Sequence, residues 1–139
     1  MRRTTAPRQP GDALPEVARA CDGVRSVQHA GATENYHRIH WDDAYAREEG
    51  LPRAIVNNGL LLIWLERLLE DTYGAGAMLC SLRARYRAPV LLDEPVRCGG
   101  AVTRATTVEA TTRLELDLWI KDAADQTRVE GQAVVDVPV

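Results

Sequence analysis

The sequence predicts an α+β domain in which four or five largely antiparallel strands cover a single long apolar helix. Three observations carry this. The run Leu60-Leu61-Leu62-Ile63-Trp64-Leu65, with Leu68 and Leu69 beyond it, is apolar around more than a full turn, and such a helix needs cover on most sides. From Met78 onward the apolar residues recur with a period of two, the signature of half-buried strands. The 139 residues make one domain and leave no room for two ordinary ones. A chain of this length buries about two-thirds of its unfolded surface, enough for a core without covalent staples.

Taken in order, residues 1–13 hold Pro7, Pro10 and Gly11 among polar residues without an apolar period. They are expected to form a flexible tail, with residues 14–139 as the domain. Glu16 to Ala20 can add a short strand. Cys21 to Thr33 is open between two readings: Val24, Val27 and Ala30 keep a helical spacing, but a short strand also fits. Asp42 or Asp43 can cap a short helix through Glu49, and Gly50 can end it. The long helix is predicted over Ile55 to Tyr73, opened by Asn57 or Asn58 and stopped by Gly74 and Gly76. Its polar residues Glu66, Arg67, Glu70 and Asp71 cluster at the C-terminal end and should reach solvent.

In the next strand Met78, Cys80, Leu82, Ala84 and Tyr86 are assigned to one face, and Ser81, Arg83, Arg85 and Arg87 to the other. Pro89 and Pro95 bracket a turn before a second strand, Val96 to Ala105. Leu114, Leu116, Leu118 and Ile120 alternate with Glu115, Asp117, Trp119 and Lys121 in a third. Asp122 to Asp125 makes a hairpin turn, and Val129, Gly131, Ala133, Val135 and Val137 face one way in a fourth. A curved sheet around one long helix is the hotdog fold, although other α+β layers also fit the element order.

Composition narrows the function. The formal charge is -3, so the basic excess of a nucleic-acid reader is missing. Cys21, Cys80 and Cys98 are odd in number and never spaced C-x-x-C, which disfavours both a disulfide framework and a zinc knuckle. Arg2, Arg3 and Arg8 have no apolar stretch behind them, so the start does not read as a signal peptide. No apolar run approaches membrane-spanning length, and the expected location is the cytoplasm.

The chemistry concentrates in Asn35-Tyr36-His37-Arg38-Ile39-His40-Trp41-Asp42, shortly before the long helix. A solvated polar loop is the plain reading of such a segment. However, His40-Trp41-Asp42-Asp43, Ala46, Gly50 and Ile55 resemble the hydratase segment of MaoC-like enzymes, the hotdog (R)-specific enoyl-thioester hydratases and 3-hydroxyacyl-thioester dehydratases. Asn35 ahead of His37-Arg38-Ile39-His40 is most similar to the branch holding mesaconyl-CoA hydratases and mitochondrial-type dehydratases. The run His40 to Asp43 with Gly50-Leu51 also resembles mycobacterial acyl-carrier dehydratase subunits, which work as heterodimers. The resemblance is densest from Leu14 to Leu69; the strand half agrees only in pattern.

That resemblance implies a hydro-lyase needing no dissociable cofactor, acting on an acyl-CoA or acyl-carrier-protein thioester, as a homodimer or as a heterodimer with another hotdog subunit. The residues themselves suggest no metal, since His37 and His40 lack a supporting carboxylate-and-His arrangement at a recognisable spacing, and the charge and apolar runs suggest no nucleic-acid or membrane partner. His40 takes the catalytic position, where an imidazole near its ordinary pKa of about 6.5 can act as base and acid. Asn35 stands where the family usually has Asp; an amide takes no proton but can orient water or a thioester carbonyl. The helix start supplies the oxyanion donor through the backbone of Asn58 or Gly59. Asn57, on the family's His position, Tyr36 and Trp64 are candidate substrate contacts, although a packing role fits Tyr36 equally well and Trp64 is core by default.

Arg83, Arg85 and Arg87 are either a solvated ladder balanced by Glu115 and Asp117, or a landing place for the phosphates of CoA or of a carrier arm. His37 is expected to brace the loop, Arg38 to pair with Asp42 or Asp43, and Asp42 to cap the following helix. His29 is assigned no role. Two other readings stand beside the hydro-lyase. A non-catalytic subunit is suggested by Asn35, Asn57 and Asn58. A hotdog thioesterase would want a carboxylate at the helix start, where Glu34 is the only adjacent one.

Overall fold

The computed structural model describes residues 6–139. In chain order the elements are β1 (Val17–Arg19), α1 (Gly23–Thr33), a 3-10 turn (Arg38–His40), α2 (Asp43–Glu48), α3 (Asn58–Tyr73), β2 (Met78–Tyr86), β3 (Val96–Val108), β4 (Thr111–Lys121) and β5 (Thr127–Pro138). The strands make one sheet in the order β1-β3-β4-β5-β2, antiparallel at every pairing. The long helix α3 lies on one face of it, which is the hotdog architecture.

The core is the seam between α3 and that face. Leu61, Trp64, Leu65, Leu68 and Leu69 are buried at helical spacing and cluster with Val102, with Leu114, Leu116, Leu118 and Ile120 of β4, and with Val129, Ala133, Val135 and Val137 of β5. Each such side chain contributes about 1.5–3 kcal/mol on full burial, so this stripe fixes the helix to the sheet. The all-round cover expected of α3 is not found. Ile63 is 47% exposed, because the sheet covers one side of the helix and nothing among the described residues covers Ile63 on the other.

Cys21 to Thr33 resolves as a helix. Asp22 caps it by accepting from the Arg25 N–H at 2.8 Å, and Glu34 ends it in the left-handed region at φ 54°. The buried face is Ser26 and Ala30, whereas Val24 and Val27, which suggested the helix, face solvent. At α2, Asp42 accepts from the Tyr45 N–H at 3.1 Å, and Gly50 follows at φ 88°. Helix α3 begins at Asn58 with Asn57 as its cap, at the start the two asparagines predict, whereas Ile55, the first residue of the predicted span, bridges Leu91 in an extended pairing. Gly74, at φ 78°, closes it.

Strand β2 needs a correction. A bulge between Leu79 and Ser81 shifts its register against β5. Leu79 pairs with Val135 on the helix side, Met78 pairs with Asp136 on the outer side, and only Leu82, Ala84 and Tyr86 keep their assigned face. A strict alternation over Met78–Tyr86 cannot anticipate one inserted residue. On the outer face Trp119 lies against Gly99, where an added Cβ would fall 2.4 Å from the indole, and Lys121 sits 4.4 Å above that ring.

Of the expected tail, residues 1–5 lie outside the described residues. Residues 11–14 run along β3: Gly11 N–H donates to Val102 O at 2.8 Å, Val102 N–H to Asp12 O at 2.9 Å and Leu14 N–H to Gly100 O at 2.9 Å. Among the described residues, no helix is long and apolar enough to cross a membrane.

Candidate active site

The loop between α1 and α2 is held to the start of α3 by its own backbone. Ile55 N–H donates to Ile39 O at 3.0 Å, and Ala54 N–H donates to the Asp43 carboxylate at 2.9 Å. Ser26 on α1 donates its hydroxyl to the His40 carbonyl, so α1 clamps the loop from the other side. The result is a half-buried His40 beside the N-terminus of α3.

His40 Nδ1 lies 3.0 Å from the Ile55 carbonyl. A carbonyl only accepts, so Nδ1 carries the proton and Nε2 of the neutral ring is left with a free lone pair. Burial lowers the His40 pKa below its ordinary 6.5, opposed by the bond to Ile55; the charges of His37 and His29 push it down as well. The neutral, base-competent form is therefore the resting form at neutral pH.

The neighbouring residues brace the loop. Asn35 Oδ1 accepts from the His37 N–H at 3.3 Å, and its own N–H donates to Ala30 O at 3.1 Å, finishing α1. His37 Nδ1 accepts from the Ile39 N–H at 3.1 Å. Its ring centroid is 6.0 Å from that of His40 and 5.8 Å from that of Tyr45. Arg38 binds Asp42 Oδ2 through Nε at 3.0 Å and Nη2 at 2.7 Å, and stacks 4.7 Å from the Tyr45 centroid. Tyr36 is exposed; its carbonyl accepts from the Trp41 indole N–H at 3.2 Å.

At the start of α3 the donors divide. Asn57 Oδ1 accepts from the Gly59 N–H at 2.7 Å, and the Asn57 carbonyl takes the Leu60 N–H at 3.0 Å and the Leu61 N–H at 3.2 Å. Asn58 N–H has no protein acceptor among the described residues, so it is the open donor of the turn, aligned with the positive end of the helix dipole. Tyr86 of β2 donates its hydroxyl to the Asn58 carbonyl at 3.0 Å, which ties the edge strand to this turn.

Two groups of candidates fall elsewhere. Trp64 is buried in the core seam. Arg83, Arg85 and Arg87 lie on the outer face of β2, where Arg83 bonds Gln132 at 3.2 Å and Arg87 bonds Glu130 at 2.8 Å. Their neighbour is β5, which separates β2 from β4, so Glu130 balances the ladder and not Glu115 or Asp117. The sequence reading passed over His29. It sits on the buried side of α1, three residues after Ser26, and its ring reaches the first turn of α3: a Cβ placed on Gly59 would lie 3.6 Å from His29 Nε2. The Ser26–His29–Ala30 spacing was the available signal. No group of three or more His, Cys, Asp and Glu side chains among the described residues is arranged to hold a metal ion.

With this geometry in hand, residues 25–92 match the family described as hydroxyacyl-thioester dehydratase type 2, a span running from α1 to just beyond β2. No curated protein sequence matches the chain. Among solved structures, the (R)-hydratase from A. caviae involved in PHA biosynthesis superposes with a TM-score of 0.85 at 22% identity, over 94% of this chain and 97% of that one. The ChsH1-ChsH2 complex from Mycobacterium tuberculosis gives 0.81 at 21% identity, over 93% and 98%. The unliganded R-hydratase PhaJ1 from Pseudomonas aeruginosa gives 0.79 at 20% identity, over 94% and 82%. At these identities the likeness is one of fold.

Proposed function

We propose, from the match of residues 25–92 to the hydroxyacyl-thioester dehydratase type 2 family and from the hotdog fold, that this protein is an (R)-specific enoyl-thioester hydratase and 3-hydroxyacyl-thioester dehydratase. The observation that carries the reading is His40: half-buried, oriented by the carbonyl of Ile55 three residues before the helix start, and left with a basic Nε2.

In the hydration direction His40 Nε2 takes a proton from water as the water oxygen bonds to Cβ of the enoyl thioester. The Cα–Cβ π electrons move into the thioester, and the charge on its oxygen is held by the Asn58 N–H. The same proton then passes from His40 to Cα, so one water is added and the imidazole returns to its starting form. Dehydration is the reverse. Asn35 keeps its carboxamide Oδ1 on the loop and has its amide N–H groups to orient water or the thioester. Asn57 and Gly59 shape the turn around that oxygen, and the exposed Tyr36 borders the acyl group.

Arg83, Arg85 and Arg87 follow the same strand that places Tyr86 against Asn58, so a CoA or carrier-protein arm leaving the thioester over the β2 edge meets their guanidinium groups; Arg85 has no acidic partner among the described residues. The β2 edge, with Met78 and Leu79 exposed, is the proposed pairing surface for a second hotdog chain, identical or different.

The test is loss of the conjugated-thioester absorbance of crotonyl-CoA. His40→Ala should lower turnover by about two to four orders of magnitude, and His37→Ala by much less. Equal losses, or a folded His40→Ala variant with full activity, would remove the assignment.

One observation favours a second reading, a non-catalytic subunit that completes a heteromeric dehydratase. Among the described residues the charges that shift His40 are imidazoles, and Asn35 adds no carboxylate. Such a chain would be silent alone and active only when mixed with its partner; the two-component ChsH1-ChsH2 complex is a precedent for a hotdog pair.

A further inference from the structure

His29 lies outside the 35–42 loop, yet its ring meets the same helix turn. Helix α1 delivers it: Ser26, three residues earlier, fastens α1 to the His40 carbonyl, and Ala30, one residue later, is buried. The His29 carbonyl accepts from Thr33 Oγ1 at 2.8 Å, but neither ring nitrogen has a protein partner among the described residues. At Gly59 the backbone is ordinary α-helix, so its glycine is not needed for conformational freedom. The space its missing side chain leaves is bordered by Asn57 Oδ1, 3.0 Å from an ideal Cβ, and by His29 Nε2 at 3.6 Å. Gly59 directly follows Asn58, the residue with the open N–H.

We propose that His29 is a second hydrogen-bond donor to the thioester oxygen, reaching across the bare Gly59 to the position served by the Asn58 N–H. This rests on the hydratase reading above and adds a substrate-contacting residue to it. His29, in its Nε2–H form, donates without losing its proton, so the water-derived proton still travels through His40 alone. A backbone N–H and an imidazole N–H then converge on one oxygen from two elements, α3 and α1. Removing one donor of such a pair costs about 10²–10³ in kcat.

Two measurements test it. With crotonyl-CoA, His29→Ala should lower kcat about 10²-fold and leave KM within about threefold, because the contact tightens in the transition state. His29→Gln, which keeps an N–H donor, should recover part of the loss. The charges acting on His40 are those of His37 and His29, so either variant should also move the acid limb of kcat/KM to higher pH, a change that a merely structural residue would not produce. A loss in kcat below threefold in an active wild-type background would overturn the proposal.

The second measurement needs no turnover. The chain has three histidines, so imidazole ¹⁵N–¹H spectra, assigned with His29→Gln and His40→Gln, can be followed while saturated, unreactive butyryl-CoA is added. Movement of both the His29 and His40 signals supports the proposal. Movement of His40 alone overturns it and leaves the hydratase reading standing. Movement of neither, with crotonyl-CoA untouched by the wild type, overturns both.

Discussion

At the scale of single residues, the bond from His40 to the Ile55 carbonyl makes a pH prediction with a definite sign. The folded environment lowers the His40 pKa below 6.5, and the base must be neutral to work. The rate constant kcat/KM should rise with pH through an apparent pKa below 6.5 and then level. An acid limb centred above pH 7 would contradict the assigned role. Asn35→Asp adds a carboxylate to this loop, favours imidazolium and should move the limb to higher pH, with activity falling or holding. A silent wild type beside an active Asn35→Asp variant would instead favour the non-catalytic subunit. The loop's internal bonds were legible because each is local: His37 to Ile39, Arg38 to Asp42 and Asp42 to Tyr45 span two to four residues. His29 was not, because its partner surface is Gly59, thirty positions away, and only the packing of α1 on the loop brings them together.

At the scale of elements, α3 and the strands after it could be read from periodicity, and the departures have specific causes. The helix starts at Asn58 because Ile55 is spent in an extended pairing with Leu91. Strand β2 changes faces at its beginning because of a bulge, which a period-two pattern does not reveal when Leu79 and Cys80 are both compatible with burial. Cys21 to Thr33 stayed open because its buried residues are small, Ser26 and Ala30, while its larger apolar residues point outward. The α3 stripe gives a stability prediction. Leu65 is fully buried between helix and sheet, and Leu65→Ala should cost about 2–5 kcal/mol in denaturant unfolding. A cost under 1 kcal/mol would mean that the seam is not the core.

At the scale of the whole molecule, the sheet has two different edges. Beyond β1 the edge of β3 is continued by residues 11–14, whereas β2 is open along its length. Met78 and Leu79 are exposed on that open edge, and Tyr86 ties its far end to the start of α3. Pairing through β2 would therefore border the site. If the proposed second hotdog chain pairs there, Leu79→Lys should shift sedimentation toward the single chain and lower activity together with it. An unchanged dimer would move the interface elsewhere. The sequence pattern showed four strong strands but not their spatial order, and that order is what makes Glu130 the counterion of the arginine ladder.

The indole of Trp41 holds the Tyr36 carbonyl and is 44% exposed, while Trp64 is sealed in the core and Trp119 rests on Gly99 beneath Lys121. The chain thus carries an optical reporter on the loop that bears His37 and His40. Emission from Trp41 is the part of the fluorescence most open to a dissolved quencher, and it belongs to the segment that an arriving thioester would cover. Shielding of that emission on titration would register occupancy directly, without turnover, with a label-free protein and in either direction of the reaction.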